Sequence, residues 1–257
     1  MTIVEDIYSN NSTRNFKHGN QRKRPVISMR NEIMRSRDEG KKAIIFEFKR
    51  SSASGFKNIN YNDPSEFANA SKDHCNAYSI LTEPKYFSGK FSDSDSFIGL
   101  DKPILMKDFI DRKVMIDKAY FENFDCILLI SDFLSIDQVS ELSTYAKSIG
   151  LDVLIEFHDK NRFDQIKSLE GIILGYNRRN LRTLKMEGEE EMINNLIDET
   201  ENPFILESGI NGENFEKINE LNFDGYLIGE AVLKDKKFLR EIKNLGVIRY
   251  DGSRSYN

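Results

Sequence analysis

The sequence predicts an α/β protein in which eight parallel strands and the helices between them close into a (β/α)8, or TIM, barrel. Three observations favour this fold. Eight short apolar runs recur along the chain, and polar stretches of helical character separate them. The 257 residues also suit a barrel of this kind, which typically has about 250 residues. The runs follow one another at intervals of roughly 20 to 35 residues, the spacing of one strand–helix unit.

The predicted strands are apolar almost throughout, which is typical of parallel strands buried on both faces. In chain order they are residues 43–48, 77–81, 103–106, 126–130, 153–157, 171–175, 203–206 and 225–229. An open doubly wound sheet usually has fewer strands and a glycine fingerprint after the first one. The first run here, AIIFEFKRSSASG, contains no GxGxxG motif, so the closed barrel is favoured.

Helical patterns fill the intervals between the runs. The clearest spans residues 135–148, where apolar residues three or four positions apart fall on one face, with Ser135 as the expected N-cap and Gly150 closing the helix. Residues 212–221 and 234–245 repeat the scheme. Residues 1–40 precede the first strand and contain a helical piece at 25–37. We interpret them as an extension covering the barrel of residues 41–257, within one domain spanning 1–257.

Composition excludes several classes of protein. The net charge is -5, which weighs against nucleic acid as an obligate partner. No apolar run approaches the roughly 18 residues of a membrane span, and the first 25 residues lack the apolar core of a signal peptide. The sequence therefore predicts a cytoplasmic protein with neither a nucleic-acid nor a membrane partner.

Cysteine and histidine give no metal-binding pattern. Cys75 and Cys126 lie in apolar surroundings with no CxxC spacing, so we expect free buried thiols in a reducing compartment. The three histidines, His18, His74 and His158, are scattered along the chain. We expect no metal and no organic cofactor.

Charged and polar residues follow the predicted strands at an unusual frequency. Active sites of this fold lie at the carboxyl ends of the strands, and charged residues embedded in apolar segments are costly unless they are paired or in use. Each could be an ordinary ion pair or a solvated lysine. Because they must converge on one barrel mouth, the set as a whole predicts a catalytic site: Glu47 and Lys49, Lys107 and Asp108, Glu156, Asn177 and Arg179, Glu207 and Ser208.

Lysines and glutamates that face one another in a partly desolvated mouth shift each other's pKa. A lysine could then act as an acid near neutral pH, and a carboxylate could take the proton back. No serine–histidine or cysteine–histidine pair offers a nucleophilic alternative. The sequence therefore predicts acid–base chemistry by ammonium and carboxylate groups.

A separate pattern predicts a phosphate site. Ser208-Gly209 follows the seventh strand and Gly229-Glu230 follows the eighth, where barrels of this kind often bind phosphate through backbone N–H groups. Residues 51–55, SSASG, add hydroxyl groups after the first strand. The predicted partner is a phosphorylated small molecule.

The strand ends also resemble a known family. The segments EFKRSSASG, SILTEPKYFSG, PILMKDFI, DCILLI, LIEFHD, GYNRRNLRTL, ESGI and LIGEAVL are similar, in order, to the strand signatures of indole-3-glycerol phosphate synthase. The resemblance runs from about residue 43 to residue 234 and extends to the N-terminal helical segment. The strand sequences are most similar to those of archaeal members. It implies ring closure of 1-(2-carboxyphenylamino)-1-deoxyribulose 5-phosphate to indole-3-glycerol phosphate, with loss of carbon dioxide and water, in tryptophan biosynthesis.

The resemblance also implies residue roles. Lys107 would be the general acid at the ribulose carbonyl, Glu156 the general base in the final dehydration, and Lys49 would lie by the substrate carboxylate, with its share of the acid role left open. Glu47 and Glu207 would orient the lysines and the substrate hydroxyls, and Asn177 would hold the reacting region. The implied substrate contacts are Ser52, Ser208, Gly209, Gly229 and Glu230 at the phosphate, Leu81, Phe87, Leu128, Ile130 and Leu181 around the aromatic ring, and Arg179 at the anthranilate carboxylate.

Three positions depart from the family pattern. Ala53 replaces a proline, Met115 stands where a glutamine is expected, and Arg178 occupies a place usually held by a small polar residue. None of them removes a group with an implied catalytic role. We expect them to affect affinity and loop dynamics more than the reaction.

Two alternatives compete with this interpretation. Phosphoribosylanthranilate isomerase, another barrel of the pathway, uses a cysteine near the end of its first strand, whereas this strand ends Glu47-Phe48-Lys49. A catalytically inactive scaffold barrel would be expected to have lost Lys107 or Glu156, and both are present. We expect a monomer. Association with other enzymes of tryptophan biosynthesis is compatible with this expectation.

Overall fold

The computed structural model describes residues 2–19 and 21–245, and its eight strands form a closed parallel barrel. Each strand pairs with its successor in the sequence, and the last pairs with the first. The predicted fold class is thus confirmed. The strands are β1 Ala43–Phe48, β2 Ala77–Leu81, β3 Ile104–Lys107, β4 Cys126–Ile130, β5 Asp152–Phe157, β6 Ile173–Asn177, β7 Phe204–Glu207 and β8 Gly225–Ile228.

At least one helix follows each strand, and two precede the barrel. The α-helices are α1 Ile3–Asn10, α2 Met29–Asp38, α3 Pro64–Ser71, α4 Pro84–Phe87, α5 Lys113–Phe121, α6 Ile136–Ser148, α7 Lys160–Ile166, α8 Glu190–Asn194, α9 Phe215–Asn219, α10 Glu230–Lys234 and α11 Lys236–Leu245. The predicted N-cap of α6 is confirmed, because the Ser135 side chain accepts a hydrogen bond from the Gln138 amide.

Several element boundaries differ from the sequence-based expectation. Strand β6 is shifted two residues towards the C-terminus and takes in Asn177, so that this side chain lies on a strand. The helix predicted at 234–245 is divided because Asp235 has an extended backbone and its side chain accepts from the amides of Lys237 and Phe238. Helix α2 begins later than predicted because Ser28 caps it.

Side-chain alternation along each strand separates two apolar cores. In β1, Phe46 and Phe48 pack outward against the helices, whereas Ala43 and Ile45 point into the barrel. Successive strand residues point to opposite faces, so Glu47 shares the inward face with Ile45. The same rule turns the site residues of β3, β5, β6 and β7 inward, each at the carboxyl end of its strand.

The N-terminal segment covers both ends of the barrel. At the carboxyl end of the strands, the Tyr8 ring of α1 lies 5.9 Å from the rings of Phe109 and Phe133. At the opposite end, Ser28 donates to Asp152 at 2.8 Å. Sequence analysis found α2 but missed α1, although Thr2 and Glu5 form a capping box whose T-x-x-E signature was visible.

Cys75 and Cys126 are buried free thiols, as predicted. Among residues 2–19 and 21–245, no helix is long and apolar enough to cross a membrane.

Candidate active site

A cavity of about 350 Å³ opens at the carboxyl ends of the strands. The cavity brings together residues from all eight strands of the barrel, and all of the site residues predicted from the sequence line it. They are Glu47, Lys49, Ser52, Leu81, Phe87, Lys107, Leu128, Ile130, Glu156, Asn177, Arg179, Leu181, Glu207, Ser208, Gly209, Gly229 and Glu230.

Lys107 lies at the centre of the charged wall of the cavity, which also includes Glu47, Glu156 and Glu207. Its Nζ lies 3.0 Å from Oε2 of Glu156 and 2.7 Å from Oε2 of Glu207. Burial lowers the pKa of Lys107, but the carboxylates of Glu156, Glu207 and Glu47 together raise it above its ordinary value. Lys107 is therefore protonated at neutral pH, and the shift in its pKa is upward.

Glu156 is held from three directions. Oε2 faces Lys107, while Oε1 accepts a hydrogen bond of 2.8 Å from Nδ2 of Asn177. The Ser131 hydroxyl donates to the main-chain oxygen of Glu156 at 2.9 Å. Oδ1 of Asn177 in turn accepts from the Arg179 amide at 2.9 Å. The Asn177 side chain, which holds the Glu156 carboxylate, is therefore itself held in place by the main chain.

Glu207 is the group whose protonation changes near neutral pH. Burial raises the pKa of Glu207 to about 7 against the opposing effect of the Lys107 ammonium. Its Oε1 has no hydrogen-bond partner in the described part of the chain. A Cβ at Gly175 would lie 2.3 Å from that oxygen, so this strand position has to be glycine for the carboxylate to occupy its place.

Glu47 of β1 and Lys49, the residue directly after this strand, form a second pair across the barrel from β5. Lys49 Nζ lies 2.8 Å from Oε1 of Glu47 and 3.8 Å from Oε1 of Glu230. A Cβ at Gly229 would lie 2.5 Å from Oε1 of Glu47, so glycine again makes room for a carboxylate. The cavity therefore has a lysine–carboxylate pair on each of two walls.

One end of the cavity is formed by short glycine-containing turns. Ser208 and Gly209 both have left-handed backbones, with φ of 71° and 67°, and Gly229 immediately precedes α10. In the loop after β1, the hydroxyls of Ser52 and Ser54 are 2.8 Å apart, on either side of Ala53. Glycine in such turns lets the backbone approach an anion closely.

The rest of the wall is apolar. It comprises the predicted Leu81, Phe87, Leu128, Ile130 and Leu181 together with Phe109, Leu184, Ile210 and Leu227, which sequence analysis missed. Phe109 packs against Phe87 with ring centroids 6.0 Å apart. Because Phe109 directly follows Lys107-Asp108 at the end of β3, the sequence could have indicated that it lines the cavity. Lys234, also missed, adds a cation near Glu230, at 3.3 Å.

Asp108 lines the cavity but is engaged elsewhere. It forms an ion pair of 2.7 Å with Arg14 and accepts from the Thr82 hydroxyl at 2.5 Å and from the Phe109 amide at 2.8 Å. These contacts join the N-terminal segment to the loop after β3. Asp108 therefore serves as an anchor for the loop that follows Lys107.

The three departures from the family pattern lie in different surroundings. Ala53 lines the cavity, and Met115 is fully buried within α5. Arg178 is buried behind the Ser208–Gly209 turn, where its Nε donates to the main-chain oxygen of Ser208 at 3.0 Å.

Solved structures with similar folds include several barrels that are distant in sequence. The 3-hexulose-6-phosphate synthase of Salmonella typhimurium aligns with a TM-score of 0.64 at 10% identity, covering 79% of this chain and 97% of that one. Tryptophan synthase subunit alpha of Legionella pneumophila aligns with a TM-score of 0.60 at 13% identity, covering 84% and 96%. At these identities the likeness shows the fold alone.

Comparison of sequences identifies the family of this chain, which comparison of folds does not. The family model for indole-3-glycerol phosphate synthase matches residues 2–245. The chain is 42% identical over 250 residues to the indole-3-glycerol phosphate synthase of Picrophilus torridus, covering 97% of this chain and 98% of that one. It is 33% identical to that of Thermoplasma volcanium, covering 95% and 99%. The chain therefore belongs to the indole-3-glycerol phosphate synthase family, whose members are carboxy-lyases of tryptophan biosynthesis.

Proposed function

We propose that this cavity converts 1-(2-carboxyphenylamino)-1-deoxyribulose 5-phosphate into indole-3-glycerol phosphate, with Lys107 as general acid and Glu156 as general base. The observation that carries the proposal is the position of Lys107, a protonated lysine held between two carboxylates. Lys107 lies in a cavity that also has an apolar wall and an end formed by the glycine-containing turns at Ser208–Gly209 and Gly229. The proposed substrate has the matching parts, namely a carbonyl group, an aromatic ring and a phosphate.

The chemistry of the cavity walls supports one orientation of the substrate. Its phosphate lies at the Ser208–Gly209 turn and at Gly229, with the Ser52 hydroxyl as a further donor. The Glu230 carboxylate would repel a phosphate on its own. Because Lys234 and Lys49 lie 3.3 Å and 3.8 Å from it, its role is to hold cations near the phosphate.

The aromatic ring lies among the apolar side chains that include Leu81, Phe87 and Leu128, and Leu181 with Ile130 completes this surface. The ring carboxylate faces Arg179 and Lys49. Apolar packing removes water from the ring, which strengthens every electrostatic interaction in the cavity.

Ring closure comes first. The ring carbon that bears the carboxylate attacks the ribulose carbonyl carbon, the carbonyl π bond breaks, and Lys107 transfers its proton to the oxygen. The raised pKa of Lys107 keeps the proton in place until the oxygen becomes basic in the transition state. Glu207, Glu47 and Asn177 orient the lysines and the reacting hydroxyl groups.

Decarboxylation and dehydration follow. Loss of carbon dioxide returns the bonding electrons to the ring, so no electron-accepting cofactor is needed. A second proton then converts the new hydroxyl group into leaving water, and Glu156 removes one proton from the five-membered ring. Two protons are delivered and one is removed, so each turnover takes up one proton from solvent.

The test is a fluorescence assay with purified protein and the carboxyphenylamino-deoxyribulose phosphate. We expect indole fluorescence to rise with time, and Lys107→Ala to lower the rate at least about 1000-fold, since it removes both the acid and the central charge of the wall. The matched control is Lys113→Ala, a lysine paired with Glu141 outside the cavity, which should keep full activity. A rate no higher than that of Lys107→Ala would refute the proposed function.

A further inference from the structure

Arg178 is a buried arginine next to the cavity to which the proposed mechanism assigns no role. It follows β6 directly and is 7% exposed. Its guanidinium makes two directed contacts. Nε donates to the main-chain oxygen of Ser208 at 3.0 Å, and Nη1 donates to Oε1 of Glu190 at 3.2 Å. Arg178 therefore links the end of β6, the turn after β7 and the start of α8.

The turn that Arg178 contacts has an unfavourable backbone. Ser208 and Gly209 are consecutive residues in the left-handed region, and a non-glycine residue such as Ser208 adopts that region only where its surroundings enforce it. A Cβ at Gly209 would lie 2.9 Å from Nη2 of Arg178 and 2.5 Å from Cε of Met186. The guanidinium thus packs directly against the turn.

The same arginine is tied to the loop that carries Arg179. The main-chain oxygen of Arg178 accepts from the Glu187 amide at 2.9 Å, and Arg179 pairs with Met186 in an isolated antiparallel bridge. The two ends of this loop are therefore held together at Arg178. A change there reaches both the Ser208–Gly209 turn and the loop after β6.

We propose that Arg178 is a positioning residue that fixes the Ser208–Gly209 turn in the shape that receives the substrate phosphate. This inference rests on the proposed function and deepens it, because it adds a determinant of phosphate affinity that does not itself touch the substrate. Glu190 neutralises the guanidinium charge, so Arg178 acts mainly through its hydrogen bonds. A lysine has no rigid fork with which to hold both partners.

Three variants test the proposal. Arg178→Asn removes both contacts, Arg178→Lys keeps the charge but not the two directed bonds, and Arg182→Asn is the matched control. Arg182 lies in the same loop and donates instead to the main-chain oxygen of Asp132 at 2.9 Å. For each variant we would measure KM and kcat for the substrate, competitive inhibition by inorganic phosphate, and the rise in Tm that inorganic phosphate produces.

We expect Arg178→Asn to raise both KM and the inhibition constant of phosphate about tenfold while kcat changes less than about threefold, the size of a lost hydrogen-bond contribution. Arg178→Lys should behave like Arg178→Asn, and Arg182→Asn like the unchanged protein. KM and phosphate inhibition within about twofold of the unchanged protein in Arg178→Asn would overturn the proposal. Full recovery in Arg178→Lys would overturn it too, in favour of a charge effect.

The phosphate-induced rise in Tm separates this inference from the proposed function. It requires no turnover, so it measures the turn even if the substrate is not converted. An inactive protein would refute the proposed function. An active protein whose rise in Tm is the same in Arg178→Asn would refute only the role of Arg178.

Discussion

Two buried carboxylates, Asp125 at the amino end of the barrel and Glu207 at the carboxyl end, are held in opposite ways. At the amino end of the strands, Asp125 is fully buried. Its carboxylate forms an ion pair of 2.5 Å with Arg22 and a second ion pair with Arg24. It also accepts from the amides of Ile27 and Ile104 at 3.1 Å and 2.8 Å. Protein groups surround the carboxylate, and the N-terminal segment covers it.

At the carboxyl end, the Glu207 carboxylate borders the cavity. Glu207 has one oxygen at Lys107 and another without a partner in the described residues, and both residues line the cavity. Buried charge is thus common to both ends. Incomplete pairing next to a cavity distinguishes the end that we assign to catalysis from the end that holds the structure together.

The largest effect that can test this contrast is expected at Glu156. Glu156→Gln preserves the shape but removes the base, so kcat should fall about 100-fold to 10000-fold with little change in KM. Its free energy of unfolding should stay within about 1 kcal/mol, because relief of repulsion from Glu207 offsets the weakened bond to Lys107. Steady-state kinetics and urea unfolding measure the two quantities. An unchanged kcat would remove Glu156 from the mechanism.

The converse effect is expected at Asp125. Asp125→Asn leaves the partly buried Arg22 and Arg24 without a carboxylate, which should lower the free energy of unfolding by about 3 kcal/mol. Well below the unfolding temperature, kcat should stay within about twofold of the unchanged protein, since Asp125 lies at the end away from the cavity. Urea unfolding and the fluorescence assay measure the two effects. A large loss of kcat with unchanged stability would erase the distinction between the two ends.

The last effect is a pH dependence at Glu207, which is at most as large as the effect at Asp125. Its pKa is about 7 in the folded protein against an ordinary 4.5, so between these values the folded state binds more protons than the unfolded state. Stability contributed by this group is fully present below 4.5 and is lost as the pH rises through 7. The free energy of unfolding of Glu207→Gln should therefore rise relative to that of the unchanged protein by up to about 3 kcal/mol between pH 4.5 and pH 8.

Urea unfolding of both proteins at several pH values in this range measures the difference. A constant difference would mean that Glu207 ionises as it does in the unfolded chain. The partner-free carboxylate oxygen would then have no energetic consequence.

The sequence predicted the barrel well because its signal is local and repeated. Each strand is a short apolar run, and a period of two places the last inward residue of β1, β3, β5 and β7 at the mouth as a charged side chain. Glu47 and Lys107 could therefore be assigned to one site without a structure. The resemblance to the family then supplied the apolar residues, such as Phe87 and Leu181, which no local pattern would have selected.

What the sequence did not predict depends on contacts between distant segments. The direction of the Lys107 pKa shift follows from three carboxylates on different strands, and the balance between burial and charge requires their positions. Asp108 looked like another site residue until its ion pair with Arg14 was known. The shape of the Ser208–Gly209 turn, and the contact of Arg178 with it, are likewise properties of the assembled fold.

The N-terminal segment has a consequence for the order in which the protein can assemble. The hydrogen bonds from Arg14 to Asp108 and from Ser28 to Asp152 join residues 94 and 124 positions apart. When the ribosome releases this segment, the chain that will bind it has not yet been made. It must stay without these partners while the first strands are synthesised. These residues are thus secured by strands that are made after them, and their docking requires that half of the barrel already exists.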